Sequence, residues 1–341
     1  MAKENDMQKA IRYLETGCTD PCYNLAFEEV VLRNRREGDY LLLWQNQNAV
    51  IIGQNQNAEA EINRSFIEKH GIKVVRRMTG GGAVYHDMGN LNYSFITDSG
   101  DPEKLSMERF TGAVIRALEH FGLKAEASGR NDILVEGKKV SGTAQRLMSG
   151  RILYHGTLLF DSSPDMVEGA LNVDPEKFKS KSSKSVRSRI GNIRSFLSQD
   201  MELAEFWREL KRQLSGDELV TDKLTDQEEA EVQRLKKEKY STWEWNFGRS
   251  PKYDLTNKRR FNGGTLEVGV HVEGGKITDI AFYGDFMAMD SLLPLTEELK
   301  GCPFRREDAA KVLNRFSLKE MFGSITAEEI LDTLFYAGDG M

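Results

Sequence analysis

Three consecutive glycines between two apolar, strand-like runs are the feature that most constrains how this chain folds. They occupy residues 80–82 of the stretch VVRRMTGGGAVYHDMGNLNYSF, which spans residues 74–95. Glycine leaves the backbone without side chains, so its N–H groups can approach an anion closely. Arg76 and Arg77 precede it and add delocalised charge suited to phosphate. The stretch predicts an anion-binding loop or, alternatively, a tight turn with surface arginines, since it matches neither GxxxxGKS/T nor GxGxxG.

The composition is that of a folded protein without a broad positive field. A length of 341 residues exceeds the usual single-domain range and predicts one large domain plus a smaller one. The net charge of −6 argues against bulk binding of nucleic acid or of an anionic membrane. The chain shows no apolar signal core near residue 1 and no apolar run long enough to span a bilayer, so a cytoplasmic protein is expected. The three cysteines lack CxxC spacing and predict neither a disulfide framework nor a zinc site.

Apolar periodicity predicts helices and strands in a mixed order. Helical spacing occurs in residues 23–36, 107–121, 203–214 and 227–239, and short strand-like runs in residues 40–44, 49–53, 72–75, 91–96, 128–147 and 152–160. A basic, serine-rich segment, residues 171–194, is predicted to be a long loop. Residues 265–272 and 277–283 form a predicted strand pair ahead of a helical tail, which indicates a small α+β domain.

A second stretch, GRNDILVEGKKVSGTAQ, places one lysine in an unusual setting. Lys139 lies between a turn glycine and an alternating strand, so its amine can point back into the sheet beside Asn131 and Asp132, while Lys138 faces the opposite way. A lysine among small residues can align a carboxylate and stabilise an oxyanion with its compact charge. The alternative is a solvated surface lysine.

Together the motifs resemble those of bacterial lipoate–protein ligases over essentially the whole chain. They are RRxTGGGAVYHDxGNLNYSF, GRNDI with GKKVSGTAQ, LYHGTLLF, KSVRSRIGN and WEWNFG, in the family's order. The resemblance implies an α+β fold: a mixed β-sheet catalytic domain of the biotin/lipoate ligase type flanked by helices, with a small α+β C-terminal accessory domain. The expected divisions are residues 1–245 for the catalytic domain, 246–253 for a linker and 254–341 for the accessory domain.

The resemblance also assigns site residues. Lys139 matches the family's essential, catalytic lysine. The expected ATP and adenylate residues are Arg77, Gly82, Ala83, Val84, Tyr85, Asn131, Asp132, Lys139, Ser185 and Arg187, with Asp132 as the ligand of Mg²⁺. The expected lipoate residues are Arg77, Thr79, Gly80, Gly81, His86, Lys139, Ser141, Gly142 and His155. The basic segment 171–189 corresponds to a loop that closes over the adenylate. For His86, a stabilising role in the loop is favoured over a general-base role.

The implied activity has two steps. Lipoate attacks the α-phosphate of Mg·ATP to give lipoyl-AMP and pyrophosphate, and the amine of an acceptor lysine then takes the lipoyl group. The implied acceptors are the lipoyl domains of 2-oxoacid dehydrogenase complexes and the glycine cleavage H protein; neither nucleic acid nor a membrane is an expected partner. The accessory domain is expected to reorient between the steps, with residues 243–253 as hinge. Octanoate is a second possible substrate, because an apolar slot discriminates poorly between similar tails.

Three other functions are alternatives to that of a lipoate–protein ligase. An octanoyl or lipoyl transferase of the same fold would act without ATP, through a cysteine nucleophile or by lysine-assisted transfer from acyl carrier protein. The absence of cysteine between Cys22 and Cys302 disfavours the cysteine route. A biotin–protein ligase would carry GRGRxGR, which RRMTGGGAVYHD replaces here. A nucleic-acid binder using residues 177–194 is disfavoured by the acidic total charge and the lack of interleaved aromatics.

Overall fold

A computed structural model gives the structure of the protein over residues 11–100, 107–172, 189–216, 219–248, 253 and 255–335. Ser185 and Arg187, with most of the basic segment expected to close over the adenylate, lie outside these residues.

The described residues form strands and helices in the mixed order that the periodicity predicts. The strands are β1 (Arg12–Glu15), β2 (Tyr40–Trp44), β3 (Ala49–Ile52), β4 (Lys73–Arg76), β5 (Val84–His86), β6 (Asn90–Asp98), β7 (Ala125–Ser128), β8 (Asp132–Val135), β9 (Lys138–Met148), β10 (Arg151–Leu159), β11 (Val220–Thr221), β12 (Leu255–Phe261), β13 (Gly264–Glu273) and β14 (Lys276–Gly284). The helices are α1 (Pro21–Asn34), α2 (Ala58–Glu61), α3 (Arg64–His70), α4 (Met107–His120), α5 (Pro164–Ala170), α6 (Leu203–Ser215), α7 (Asp226–Leu235), α8 (Trp243–Asn246), α9 (Leu293–Leu299), α10 (Arg306–Leu313), α11 (Leu318–Phe322) and α12 (Ala327–Leu334), with single turns of 3₁₀ helix at Ile193–Phe196 and of π helix at Lys236–Tyr240.

A mixed eight-stranded sheet forms the centre of the fold. Its order is β11-β1-β2-β6-β10-β9-β8-β7. The pairs β1·β2 and β1·β11 are parallel, and the remaining pairs are antiparallel. Strand β10 lies between β6 and β9 and is antiparallel to both. The glycine-rich stretch contributes to β6 and the lysine-containing stretch to β9, so both of the chemically informative stretches of the sequence meet in this part of the sheet.

Both faces of this sheet are buried, because alternate residues of its central strands enter different cores. Leu41 and Leu43 of β2 pack with α4 and α6, whereas Leu42 and Trp44 pack with α1 and α7. Each fully buried leucine contributes about 1.5–3 kcal/mol to folding. The sheet is therefore a rigid platform between two helical layers.

A second, three-stranded sheet carries the glycine-rich stretch. Its order is β4-β3-β5, with β3 parallel to β4 and antiparallel to β5. The glycines connect the end of β4 to the start of β5. The strands predicted at residues 40–44 and 49–53 both exist, but β2 and β3 belong to different sheets. The polar link between them includes Asn46, which is fully buried.

The C-terminal residues build a separate core. Strands β12, β13 and β14 form an antiparallel sheet that packs against α9 to α12 through residues such as Leu266, Phe282 and Phe322. The predicted strands at residues 265–272 and 277–283 are β13 and β14, and the helical tail is confirmed. Strand β12 was not predicted, because five polar residues stand between Leu255 and Phe261.

The α+β fold class, with a mixed sheet flanked by helices, is confirmed. Within the described part of the chain, no helix combines the length and the apolarity that crossing a membrane would require.

Candidate functional site

The glycine loop between β4 and β5 is shaped from behind by a buried arginine. Arg77 is only 6% exposed. Its guanidinium donates to the backbone oxygens of Ile51, Gly80 and Gly82 at 3.1, 2.6 and 2.8 Å, and its Nε donates to Thr79 Oγ1 at 3.0 Å. Burial lowers the pKa of Arg77 to about 10, against an opposing attraction from Glu28. The arginine thus fixes the course of the loop from inside the fold.

Two of the glycines in this region are required by geometry. Gly81 has φ of +86°, a conformation that other residues rarely adopt. A Cβ on Gly53, at the end of β3, would lie 2.0 Å from the backbone oxygen of Gly81. The loop therefore packs backbone against backbone, which a side chain at either position would prevent.

The neighbouring Arg76 does not supply charge for phosphate, and that prediction is wrong. It is fully buried, and its guanidinium donates to the backbone oxygens of Gly53, Gln54, Gln56, Trp245 and Asn246 at 2.6–3.1 Å. The two adjacent arginines alternate between the faces of the strand end. Arg76 joins the loop after β3 to α8, so its role is structural.

Lys139, Asp132 and Asn131 come together as predicted. Lys139 lies near the start of β9, and its Nζ is 2.7 Å from Oδ1 of Asp132 on the adjacent strand β8. Asn131 donates from its amide to the backbone oxygen of Thr143 at 2.9 Å. Lys138 is exposed. The ion pair holds the Lys139 amine in place instead of leaving it free in solvent.

Two adjoining cavities open on either side of Lys139. The larger has a volume of about 440 Å³ and the smaller about 100 Å³. Volumes of several hundred Å³ are typical of sites for small molecules. Six residues line both cavities: Gly82, Ala83, Val84, Asn131, Lys139 and Thr157. A ligand that filled both would therefore contact Lys139.

The predicted site residues divide between these cavities. Those predicted for the nucleotide that line the larger cavity are Gly82, Ala83, Val84, Tyr85, Asn131, Asp132 and Lys139. Those predicted for lipoate that line the smaller one are Arg77, His86, Lys139, Gly142 and His155. Neither cavity is lined by Thr79, Gly80, Gly81 or Ser141. The N–H groups of Gly80 and Gly81 instead donate to the backbone oxygens of Ala288 and Phe286 at 3.3 and 3.1 Å.

A buried chain of hydrogen bonds closes the inner end of the smaller cavity. Thr79 Oγ1 lies 2.8 Å from His155 Nε2, and His155 Nδ1 lies 2.9 Å from Oε1 of Glu28. Ser94 donates to the same carboxylate at 2.6 Å. Because Arg77 donates to Thr79, one network connects the glycine loop to the Glu28 carboxylate on α1. It orients His155 at the cavity wall.

Glu28 and Asn46 line neither cavity but position two histidines of the smaller one, His155 and His86, and the sequence did not predict these roles. Glu28 occupies the middle of α1, whose buried residues include Leu25, Phe27 and Val30, so a carboxylate there is costly unless it is paired. A charged residue inside an otherwise apolar helical face was the available signal. The sequence around Asn46 contained no such signal, because a polar residue in a short link between strands is usually exposed.

His86 lies in the wall of the smaller cavity, and Asn46 sets its tautomer. Asn24 donates to Asn46 Oδ1 at 2.9 Å, so Asn46 turns its amide nitrogen toward His86 Nδ1, 3.1 Å away. Nδ1 is then the acceptor and Nε2 carries the proton. Nε2 is buried without a hydrogen-bond partner among the described residues. This geometry favours a role in the pocket over a general-base role.

The buried His86 predicts a pH dependence of stability. Burial, with smaller contributions from Arg77 and His155, lowers its pKa to about 3. The unfolded chain, with an ordinary histidine pKa of about 6.5, therefore binds more protons than the native state between these two values. Stability is full above about pH 6.5 and falls as the pH drops toward 3, at up to ~1.4 kcal/mol per pH unit from this residue.

Urea denaturation at several pH values between 7 and 4 measures this effect. We expect His86→Gln to flatten the fall in unfolding free energy relative to the original chain, and His70→Gln, at the exposed end of α3, to leave it unchanged. Parallel curves for the original chain and His86→Gln would contradict the argument.

The same architecture occurs in known proteins. Two protein families match this chain. The family described as "Lipoyl protein ligase A/B catalytic domain" matches residues 20–215, and the family described as "Bacterial lipoate protein ligase C-terminus" matches residues 250–334. The chain is 44% identical to the lipoate-protein ligase LplJ of Bacillus subtilis, over 93% of this chain and 97% of that protein.

Two solved structures are similar to this one over about seven tenths of the chain. One is a bi-partite lipoate protein ligase, with its E2 lipoyl domain, from Thermoplasma acidophilum, with 35% identity, a TM-score of 0.63 and coverage of 73% of this chain and 100% of that one. The other is a lipoate-protein ligase A bound with ATP, with 30% identity, a TM-score of 0.61 and coverage of 71% and 99%. Over nearly its whole length, then, this chain belongs to the lipoate–protein ligase family.

Proposed function

We propose that this protein attaches lipoate to lysines of other proteins in two ATP-dependent steps. The observation that carries the proposal is the position of Lys139, which is held by Asp132 where the two cavities meet. The larger cavity, with its glycine loop and polar walls, suits a nucleotide. The smaller cavity is walled partly by Leu25, Ile51 and Ala144 and suits an aliphatic tail. A relative of the same family is described with ATP bound.

In the first step, an oxygen of the lipoate carboxylate attacks the α-phosphorus of ATP. The new bond gives lipoyl-AMP, and the bond to the β-phosphate oxygen breaks to release pyrophosphate. Both reactants are anions that repel each other. The Lys139 ammonium lies between their two cavities, offsets this repulsion and aligns the carboxylate.

In the second step, the ε-amine of an acceptor lysine attacks the carbonyl carbon of lipoyl-AMP, and AMP leaves. Negative charge develops on the carbonyl oxygen, which Lys139 stabilises from the same position. The acceptor amine attacks in its neutral form, after losing one proton to solvent, and orientation and desolvation favour the attack. As the amide forms, the nitrogen loses a second proton to the departing AMP phosphate or to solvent. His86 is not suited to accept either proton, because its Nδ1 accepts from Asn46 and its buried Nε2 carries the proton.

The residues of the larger cavity fit a magnesium ion that arrives with the nucleotide. Magnesium is usually held by one or two carboxylates together with substrate phosphates. Among the described residues, no cluster of three or more histidine, cysteine, aspartate or glutamate side chains could hold a metal by itself. The Asp132 carboxylate lies on the cavity wall beside Lys139 and matches the phosphate-shared arrangement. The ion would neutralise charge on the phosphates, and Asp132 would be its protein ligand.

The acceptors we propose are lipoyl domains of 2-oxoacid dehydrogenase complexes and the glycine cleavage H protein. Support for the first comes from a family member described with its E2 lipoyl domain. The apolar part of the smaller cavity's wall also predicts that octanoate is used as well as lipoate, because apolar contacts discriminate poorly between similar tails.

The test is to incubate the protein with lipoate, ATP, Mg²⁺ and an apo lipoyl domain, and to follow the acceptor by intact mass. We expect the acceptor to gain one lipoyl group, with one pyrophosphate released per transfer, only when ATP is present. Transfer from an octanoyl acyl carrier protein at full rate without ATP would instead identify a transferase and overturn the proposal.

A further inference from the structure

The larger cavity is not built from the large sheet and the glycine loop alone. Three residues of the C-terminal part also line it: Arg260, Asn262 and Asp285. They lie at one end of the small antiparallel sheet, where β12 turns into β13 and where β14 ends. This end of the small sheet faces Lys139 and Asp132 across the cavity.

Arg260 is held at this wall while remaining reachable from the cavity. It lies opposite Thr265 in the β12·β13 register, and its Nη1 donates to Thr265 Oγ1 at 2.8 Å. The same nitrogen is 3.8 Å from Oδ2 of Asp285, too long for a hydrogen bond. The Arg260 side chain is 33% exposed. These contacts set its direction but leave donors of the guanidinium fork for a ligand.

Direct contacts attach the cavity wall to the catalytic part of the chain. Arg130, which also lines the cavity, donates to the backbone oxygen of Gly263 and lies 3.5 Å from that of Asp285. The glycine loop contributes the bonds to Ala288 and Phe286 described above. Arg260 is therefore positioned relative to the loop that is proposed to cradle the nucleotide.

The larger cavity carries charges of both signs: its basic residues are Arg130, Lys139, Arg189 and Arg260, and its acidic residues are Glu61, Asp132 and Asp285. The Lys139 ammonium is paired with Asp132, so much of its field is balanced before any ligand enters. A triphosphate carries several negative charges and needs further cations. Arginine suits this need, because its planar fork donates two hydrogen bonds to one phosphate group. A carboxylic ligand alone, in the smaller cavity, would not reach this wall.

We propose that Arg260 binds the pyrophosphate portion of ATP, so that the small C-terminal sheet supplies a phosphate-binding residue to the first step. This inference rests on the proposed function and makes it more specific. Pyrophosphate has left before the acceptor lysine attacks, so Arg260 acts in adenylation and is dispensable in transfer. Measuring the two steps separately therefore distinguishes the contribution of Arg260 from a general effect on the fold.

The experiment measures both half-reactions in the full-length chain with Arg260→Ala, Arg260→Lys and Arg259→Ala. Arg259 is the matched control, since it is the adjacent residue of β12, lies 3.7 Å from Asp332 and does not line the cavity. Adenylation is followed by lipoate-dependent exchange of labelled pyrophosphate into ATP, and transfer by mixing enzyme with purified lipoyl-AMP and an apo lipoyl domain. Thermal unfolding checks that each variant is folded.

We expect Arg260→Ala to raise the KM for ATP in exchange at least tenfold, Arg260→Lys to have a smaller effect, and Arg259→Ala to stay within twofold of the original chain. All three should transfer from lipoyl-AMP within twofold of the original chain. Unchanged exchange in folded Arg260→Ala, or an equal loss in both half-reactions, would overturn the inference while leaving the proposed function intact. If the original chain itself catalysed neither half-reaction, both would be overturned.

Discussion

Lys139→Ala is expected to abolish detectable transfer of lipoate to an acceptor domain. The lysine is the charged group at the junction of the two cavities, and it is positioned by its 2.7 Å contact with Asp132. Removing one preorganised donor to a developing oxyanion typically costs about 10²–10³ in rate. Here the same residue also aligns the carboxylate in the first step, so both steps should suffer. The rate of acceptor lipoylation, followed by intact mass, measures the effect.

Lys138→Ala is the control for this substitution. Lys138 is the preceding residue of β9, carries the same charge and is exposed. We expect it to retain activity within about twofold, because long-range effects of an exposed charge are screened by salt. A Lys139→Ala variant that turned over near the original rate, or a Lys138→Ala variant with an equal defect, would remove Lys139 from the mechanism.

Arg77→Met is expected to cause the second large loss, of both stability and activity. It removes the donor from three backbone oxygens and from Thr79 in the interior of the fold. Each buried acceptor left without a partner costs about 1–3 kcal/mol, and four acceptors are affected, so a loss of about 4 kcal/mol or more is expected. The glycine loop then loses its fixed course, and lipoylation should fall at least ~100-fold, since small displacements of positioning groups carry large rate penalties.

Urea denaturation and the lipoylation rate, measured together, test the role of Arg77. Arg36→Met is the matched control, because Arg36 is exposed and donates to a single backbone oxygen, that of Ser149. It should change stability by less than about 1 kcal/mol, as is usual for surface substitutions. Arg77→Lys should be intermediate, since an ammonium keeps the charge but not the fork. An Arg77→Met variant as stable and active as Arg36→Met would contradict the account of the loop.

Local patterns in the sequence were sufficient to predict the position of a side chain where its neighbours belong to the same strand, hairpin or turn. The alternation of β9 correctly separated Lys139 from Lys138. GRND leads into β8, the strand that pairs with β9, so Asp132 comes close to the lysine even though the register shifts between Ile133 and Leu134. The glycine loop was found for a similar reason. Its backbone requirement at Gly81 is a local property that only glycine satisfies at little cost.

The features that the sequence did not predict depend on contacts between residues that are distant in sequence. Arg76 and Arg77 are adjacent and chemically identical, yet Arg76 is occupied by backbone oxygens near Trp245 and Asn246, about 170 residues away. No residue near Arg76 in the sequence indicates that its hydrogen-bond partners lie in that distant segment. The contribution of Arg260 to the cavity is of the same kind, since it depends on how the small sheet docks on the glycine loop.

The most direct test of the two-cavity account is to mix the protein with lipoate, ATP and Mg²⁺ in the absence of any acceptor, separate the protein from free ligands, and identify what it retains. The account predicts lipoyl-AMP, approaching one molecule per chain, with an equal amount of pyrophosphate released, and no adenylate with Lys139→Ala. Recovery of unreacted lipoate and ATP, with no adenylate and no pyrophosphate from the original chain, would contradict it.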